Sequence, residues 1–222
     1  MKILFSAMLF IAITSTAQST QTEDPDAAYT RVLNQRAAKI VTSLAIDDSA
    51  AANKVQAIIV QQYRDLNAAH DGEKAKIKEL KEKAGEGNKP DENVVKDIAA
   101  ATDKRVKQLH DSYLAKLSGL LTAEQVDKVK DGMTYGVLQV TYTAYENMIP
   151  TLTDGQKSKI YEWLKEAREL AMDEGSSEDK HRVFGKYKGR INNYLSSEGY
   201  DLKKEEKAWQ ERLRKKRQQG QS

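Results

Sequence analysis

Two copies of one short phrase constrain this chain more than anything else in it. Leu121-Thr122-Ala123-Glu124-Gln125 is followed by Lys128-Val129, and thirty-one residues later Leu152-Thr153-Asp154-Gly155-Gln156 is followed by Lys159-Ile160. Each phrase starts a helix. Thr122 and Thr153 stand at N-cap, where the hydroxyl accepts an orphan backbone N–H. Gln125 and Gln156 stand three residues on, where the side chain reaches back to the cap's own N–H. Leu121 and Val126 sit at the two ends of a hydrophobic staple. The second copy has Lys157 at the matching place, so its staple is weaker.

Apolar residues elsewhere recur at steps of three and four. The spacing predicts helices from about 26 to 44, from 46 to His70-Asp71-Gly72, over 73–84, and from Asp91 to Gly119. Further helices are expected from Thr122 to Pro150, from Thr153 to Gly175, over the segment of Phe184 to Leu195, and from about 201 to 213. The run 134–143 is rich in β-branched and aromatic residues and would tolerate a strand. The four-residue spacing continues through it, and the reading remains helix. The fold class is therefore all-α, about eight helices in a bundle or a stack of hairpins. Residues 73–84 alternate Lys and Glu with only Ile77 and Leu80 as large apolar residues. Together with the loop Gly85 to Pro90, they read as a charged hairpin projecting from the body around 73–95. The whole of 26–213 is expected to form one domain.

The ends are read separately. Lys2, the apolar run Ile3 to Ile13 and the small residues Ser15-Thr16-Ala17 form a signal-peptide pattern over 1–17, with an apolar run too short for a membrane span. Residues 18–25 read as a disordered leader and 214–222 as a disordered basic tail. The expected location is the periplasm or the medium. The chain has no Cys, which excludes disulfides, thiolate catalysis and cysteine metal sites. Charged residues are 31% of the total and mean hydropathy is −0.71, which fits a water-soluble mature protein with no further membrane segment. The net charge of +3 with mixed signs argues against a nucleic-acid binder.

No phosphate-binding loop, nucleophile elbow or HExxH is present, and no catalytic residue, metal or cofactor is expected. His70-Asp71 and His110-Asp111 could supply ligands to a metal-dependent hydrolase. Neighbours in sequence do not face one ligand on a helix, however, and they read as solvent-facing polar pairs. The rings are more suggestive. Tyr145 and Trp163 could stack on the apolar face of a sugar, with Arg190, Asn192 and Asn193 bonding its hydroxyls or carboxylate. The same rings at helical spacing could equally face a core. The basic end, Lys203 to Arg217, reads as a solvated tail rather than a polyanion site.

The stretches Tyr142-Thr143-Ala144-Tyr145, Gly185-Lys186-Tyr187-Lys188-Gly189-Arg190-Ile191-Asn192-Asn193-Tyr194-Leu195 and Gly199-Tyr200-Asp201 resemble a secreted family of unknown function. That family is described as sugar-binding and occurs in polysaccharide-degrading, gut-type Gram-negative bacteria. Arg36-Ala37-Ala38-Lys39-Ile40 and Gln62-Tyr63-Arg64-Asp65-Leu66 are its counterparts in the first half. The resemblance implies a carbohydrate partner, possibly an acidic polysaccharide, and no mechanism. The two LTxxQ phrases are also similar to Spy-type periplasmic chaperones, which implies a helical cradle for unfolded clients. The reading is an exported, non-catalytic carbohydrate-binding protein, with the chaperone second and a carbohydrate-active hydrolase third.

Overall fold

The computed structural model describes residues 24–219. The signal-peptide pattern, leader residues 18–23 and the last three residues of the tail lie outside them. Eight helices and no strand are found among the described residues: α1 (Pro25–Thr42), α2 (Ser49–Ala84), α3 (Glu92–Ser118), α4 (Ala123–Met133), α5 (Val137–Met148), α6 (Asp154–Met172), α7 (Ser177–Ser197) and α8 (Leu202–Gln219). The all-α reading holds.

Two differences in helix division cancel in the count. The segment expected as two helices up to residue 84 is one helix, α2, that starts at Ser49 and runs straight through Gly72. The segment from Thr122 to Pro150 is two. After α4, Thr134 turns its hydroxyl back onto Lys130 O (2.8 Å), and Tyr135 and Gly136 both take left-handed backbone, φ +58° and +66°. Gly136 N–H then closes on Asp131 O at 2.8 Å. Two consecutive left-handed residues cannot continue a right-handed helix, so α5 leaves in a new direction. The ends also differ from expectation. Asp24 caps α1 with Pro25 in its first turn, so the leader stops before residue 24, and residues 214–219 are helical in α8 instead of disordered.

The break at Tyr135-Gly136 separates two apolar cores. Leu33, Ile40, Ile59, Leu66, Tyr113 and Leu117 from α1–α3 close on Val129 and Met133 of α4. Leu138 and Tyr145 of α5 close on Ile160 and Leu164 of α6 and on Phe184, Ile191 and Leu195 of α7. Met172, at the end of α6, belongs to the first core, so α6 reaches both. Beyond Leu66 in α2 and before Leu109 in α3 no side chain is buried, which leaves the far part of that hairpin as a charged two-helix arm. Its ion pairs, such as Lys83–Glu79 at 2.7 Å, are exposed and screened by water.

Both capping boxes are formed. Gln125 and Gln156 each accept the cap N–H through Oε1 at 3.0 Å. Their amide nitrogens do a second job: Gln125 Nε2 donates to Leu44 O (3.0 Å) and Gln156 Nε2 to Glu198 (3.2 Å). A glutamate could fill the box but could not donate, which accounts for Gln in both copies. In the second copy Leu152 is buried without a staple partner, because Lys157 turns toward Asp154 at 3.9 Å.

The two halves are joined by a buried charge. Arg168 of α6, 4% exposed, donates Nη1 to Asp131 (2.8 Å) and Nη2 to Asp127 (2.7 Å) on α4 and to its neighbour Glu169 (3.2 Å), while Lys130 pairs with Glu169 at 2.7 Å. Removing the half-exposed carboxylates strands the guanidinium, whereas removing the arginine leaves carboxylates that water can reach. The double variant Asp127→Ala/Asp131→Ala should therefore lose about 3 kcal/mol and Arg168→Met about 1 kcal/mol or less, measured by urea unfolding. Equal losses would contradict this account. The helix division has its own test. Gly72 has open space around its missing Cβ and ordinary helical backbone. Gly72→Ala should stabilise by about 1 kcal/mol and Gly136→Ala should destabilise by a similar amount.

Candidate functional site

The five residues singled out as a sugar surface divide between two places. Tyr145 lies on α5 and is buried in the second core. Its phenol O–H donates to Asn192 Oδ1 on α7 at 2.7 Å, and burial pushes its pKa up to about 12. That bond uses Asn192 Oδ1 as acceptor and leaves its Nδ2 to donate elsewhere. The two residues stand in a groove of about 400 Å³ between α5, α7 and α8. Val140 and Met148 of α5 and Leu202 of α8 form apolar wall, Trp209 of α8 adds a half-buried ring, and Lys188, Lys203 and Glu206 supply charge. Helix α8 buries no side chain outright. Arg212 fastens it by donating to the last carbonyls of α5, Asn147 O (2.8 Å) and Met148 O (3.0 Å).

Trp163 and Arg190 meet elsewhere, between α6 and α7. The Arg190 guanidinium lies 4.4 Å from the Trp163 ring centre, and Lys159 lies 5.3 Å from it. Tyr194 meets Trp163 edge-on at 5.4 Å and 88°. Arg190 also reaches Glu166 at 3.4 Å. These cation–π contacts occupy ring surface that a sugar would need, so this cluster is a packed seam between helices. Asn193 is exposed and lines neither the groove nor the cleft described next.

The sequence reading set aside a cluster that the fold assembles. His70 and His110 do not work with Asp71 and Asp111; Asp111 pairs with Lys107 at 3.0 Å. Both histidines converge on Asp173, the residue that ends α6. His110 Nδ1 donates to Asp173 Oδ2 at 2.7 Å, and His70 Nε2 donates to the Asp173 carbonyl at 2.8 Å. Asp173 Oδ1 is buried with no hydrogen-bond partner among the described residues. Gly175 makes the approach possible, since a Cβ there would stand 2.9 Å from the His70 ring. The three residues line a cleft of about 530 Å³ whose walls include Lys107 of α3, Glu169 and Leu170 of α6, and Lys186 and Tyr187 of α7. The hydrogen bond to the Asp173 carboxylate raises the His110 pKa above its ordinary 6.5, against the opposing effect of burial. Burial, with help from Glu166, pushes the Tyr187 phenol up to about 12. Nearby Lys180, buried and donating to Ala171 O and Met172 O at 3.0 Å each, is pushed down to about 8 by burial. It caps α6 from within. No group of three or more His, Asp or Glu among the described residues is placed to hold a metal ion.

These features define a class: an all-α protein of paired helical cores, with one aromatic groove and one histidine–aspartate cleft. The chain belongs to the family described as "Protein of unknown function (DUF3826)", whose model matches residues 30–215. No curated protein matches it. No helix among the described residues is long and apolar enough to cross a membrane.

The His110–Asp173 pair has a pH signature. A histidine whose folded pKa is raised contributes stability that is full below its unfolded value near 6.5 and is lost as pH rises through the folded value. His110→Gln cannot titrate, so its stability loss relative to the parent should be larger at pH 5.5 than at pH 8.5. A constant loss across that range would show that the pair carries no charge-dependent stabilisation.

Proposed function

We propose that the protein is exported and binds an acidic carbohydrate in the groove between α5, α7 and α8. The observation that carries this reading is the composition of that groove. Trp209 and the apolar wall suit the C–H face of a sugar ring, the oriented Asn192 amide suits hydroxyls, and Lys188 with Lys203 outnumbers Glu206 and suits a carboxylate. The resemblance carried by the second half of the chain supports the same ligand class, and the signal-peptide pattern supports export to the periplasm or beyond. Asn192 keeps the polar role the sequence suggested, while Tyr145, buried in the second core, holds Asn192 instead of stacking on a sugar. Trp209 replaces Trp163 as the stacking ring, and Lys188 and Lys203 replace Arg190 as the charge.

The chaperone reading has one feature in its favour, the long α2–α3 arm with Val94 exposed and Ile77, Leu80, Val95 and Ile98 only half covered. Suppression of client aggregation by the full chain, lost when the arm's apolar seam is changed to serine, is the outcome that would favour it.

The binding reading is tested by thermal shift against neutral and acidic oligosaccharides. A ligand at ten times its Kd that binds only the folded state adds about 1.4 kcal/mol, which raises Tm by about 3–5 °C in a chain of this size. The shift should appear with acidic sugars, vanish in Trp209→Ala, and shrink in Lys203→Ala and at high salt. An undiminished shift in Trp209→Ala would remove the groove from consideration.

A further inference from the structure

Another cavity, of about 270 Å³, lies where four separate parts of the chain meet: α1, α2, the break between α4 and α5, and the α6–α7 junction. It shares no residue with the groove, so it stands independently of the proposed function. Three of its residues are not explained by packing. Tyr63 is 9% exposed, yet its hydroxyl makes no hydrogen bond among the described residues. A buried tyrosine hydroxyl ordinarily has a partner. Arg36, exposed on α1, makes neither an ion pair nor a hydrogen bond among the described residues. Tyr135 takes left-handed backbone at φ +58°, a conformation costly for a bulky residue. It is 46% exposed, so core burial does not offset that cost. Glycine or asparagine would make the same turn with less strain. Tyrosine adds a ring to the cavity wall, steadied by stacking on His181 at 6.2 Å and 22°.

These three side chains act on one another. Burial pushes the Tyr63 phenol up to about 12; Tyr135 adds to the rise and Arg36 opposes it. Charge in the lining favours an anion. Arg36 and Lys180 are set against one carboxylate, Glu174. Lys180 is buried and already donates to Ala171 O and Met172 O, and it feels Asp173, Glu174 and Arg36. Asp173 is itself answered by His110 at 2.7 Å. Arg36 is therefore the cation open to a ligand, with the Tyr63 hydroxyl as a second donor. The rest of the wall is apolar or aromatic, with Val32, Leu33 and Leu66 beside the Tyr29 ring. That ring is held in place: Asn67 donates to its hydroxyl, and the Arg64 guanidinium lies 5.8 Å from its centre. The volume is below that of sites for drug-sized ligands and suits a single ring.

We infer that this cavity binds a small aromatic carboxylate, with its ring among Tyr29, Tyr63 and Tyr135 and its carboxylate on Arg36 and the Tyr63 hydroxyl. The carboxylate supplies the acceptor that the buried hydroxyl lacks. It also supplies the planar partner that a guanidinium fork fits. Ring against ring uses the strained tyrosine, whose exposed face gains cover only when the cavity is filled.

The test titrates the full chain by calorimetry with benzoate and 4-hydroxybenzoate. Benzyl alcohol serves as the uncharged control and cyclohexanecarboxylate as the anion without a π face. At least one aromatic acid should bind saturably. Benzyl alcohol should bind about tenfold more weakly, and cyclohexanecarboxylate about threefold or more. Arg36→Gln, at an exposed position, should weaken the aromatic acid about tenfold or more. Tyr63→Phe deletes only the unpartnered hydroxyl. It should weaken binding about fivefold while Tm holds or rises; a merely structural hydroxyl would lower Tm and leave binding alone. Tyr135→Asn keeps a residue that tolerates left-handed backbone and removes the ring, so binding should weaken with no loss in Tm. Three results overturn the inference: no saturable binding of either aromatic acid, benzyl alcohol binding as tightly as benzoate, or full affinity retained in Arg36→Gln. The groove is read with oligosaccharides and Trp209→Ala, so either site can fail alone.

Discussion

The buried guanidinium of Arg168 is the constraint on which the two-core arrangement depends. The backbone break at Tyr135-Gly136 frees α5 from the line of α4, and apolar packing alone would let the two cores pivot about it. Arg168 removes that freedom, because a planar fork satisfies Asp127 and Asp131 together in only one orientation of α6 against α4. Lys130–Glu169 repeats the link one residue further on. The last turns of α6 are thereby committed: Arg168 and Glu169 to α4, Met172 to the first core, and Asp173 to the two histidines. The geometry of the cleft is a consequence of the cross-link, since the same turn that carries the charge network ends in the carboxylate that orients His110.

Legibility in the sequence followed how local each cause was. Asp24, Asp48, Asp91, Thr122, Thr153 and Ser176 are N-caps in the structure, and each is visible as a short polar residue before an apolar stripe. The two differences in helix division each turn on a different glycine. Gly72 looks like a C-cap but lies between residues that support helix on both sides, with Lys74 near Asp71 at 3.7 Å, and a single helical Gly costs only about 1 kcal/mol. Gly136 follows Thr134, whose hydroxyl competes for the helix carbonyls, and Tyr135. Only the divergence of two cores makes left-handed backbone at a tyrosine acceptable. No window of sequence contains that information.

The site obeyed the same rule, with one exception that was legible. Residues two apart on a helix point roughly 200° from each other, so Arg190 and Asn192 could never have shared a ligand surface. The structure puts them on the two flanks of α7. Asn192 meets Tyr145 across 47 positions and Trp209 enters the groove only because α8 folds back onto α5. The histidine cluster was hidden by its neighbours: Asp71 and Asp111 are adjacent in sequence and irrelevant in space, while Asp173 is 63 positions from His110.

Helix α7 connects these observations. Phe184, Ile191 and Leu195 bury one stripe of it in the second core, which leaves two flanks. Val183, Lys186 and Tyr187 line the cleft, and Lys188 and Asn192 line the groove. Lysine therefore appears on both flanks within three residues, and each lysine faces a cavity that also contains an oriented polar group, His110 on one side and Asn192 on the other. Because the buried stripe fixes the helix in rotation, one flank cannot be re-aimed without turning the other. The two cavities are for that reason fixed in orientation relative to each other by the one buried stripe of α7.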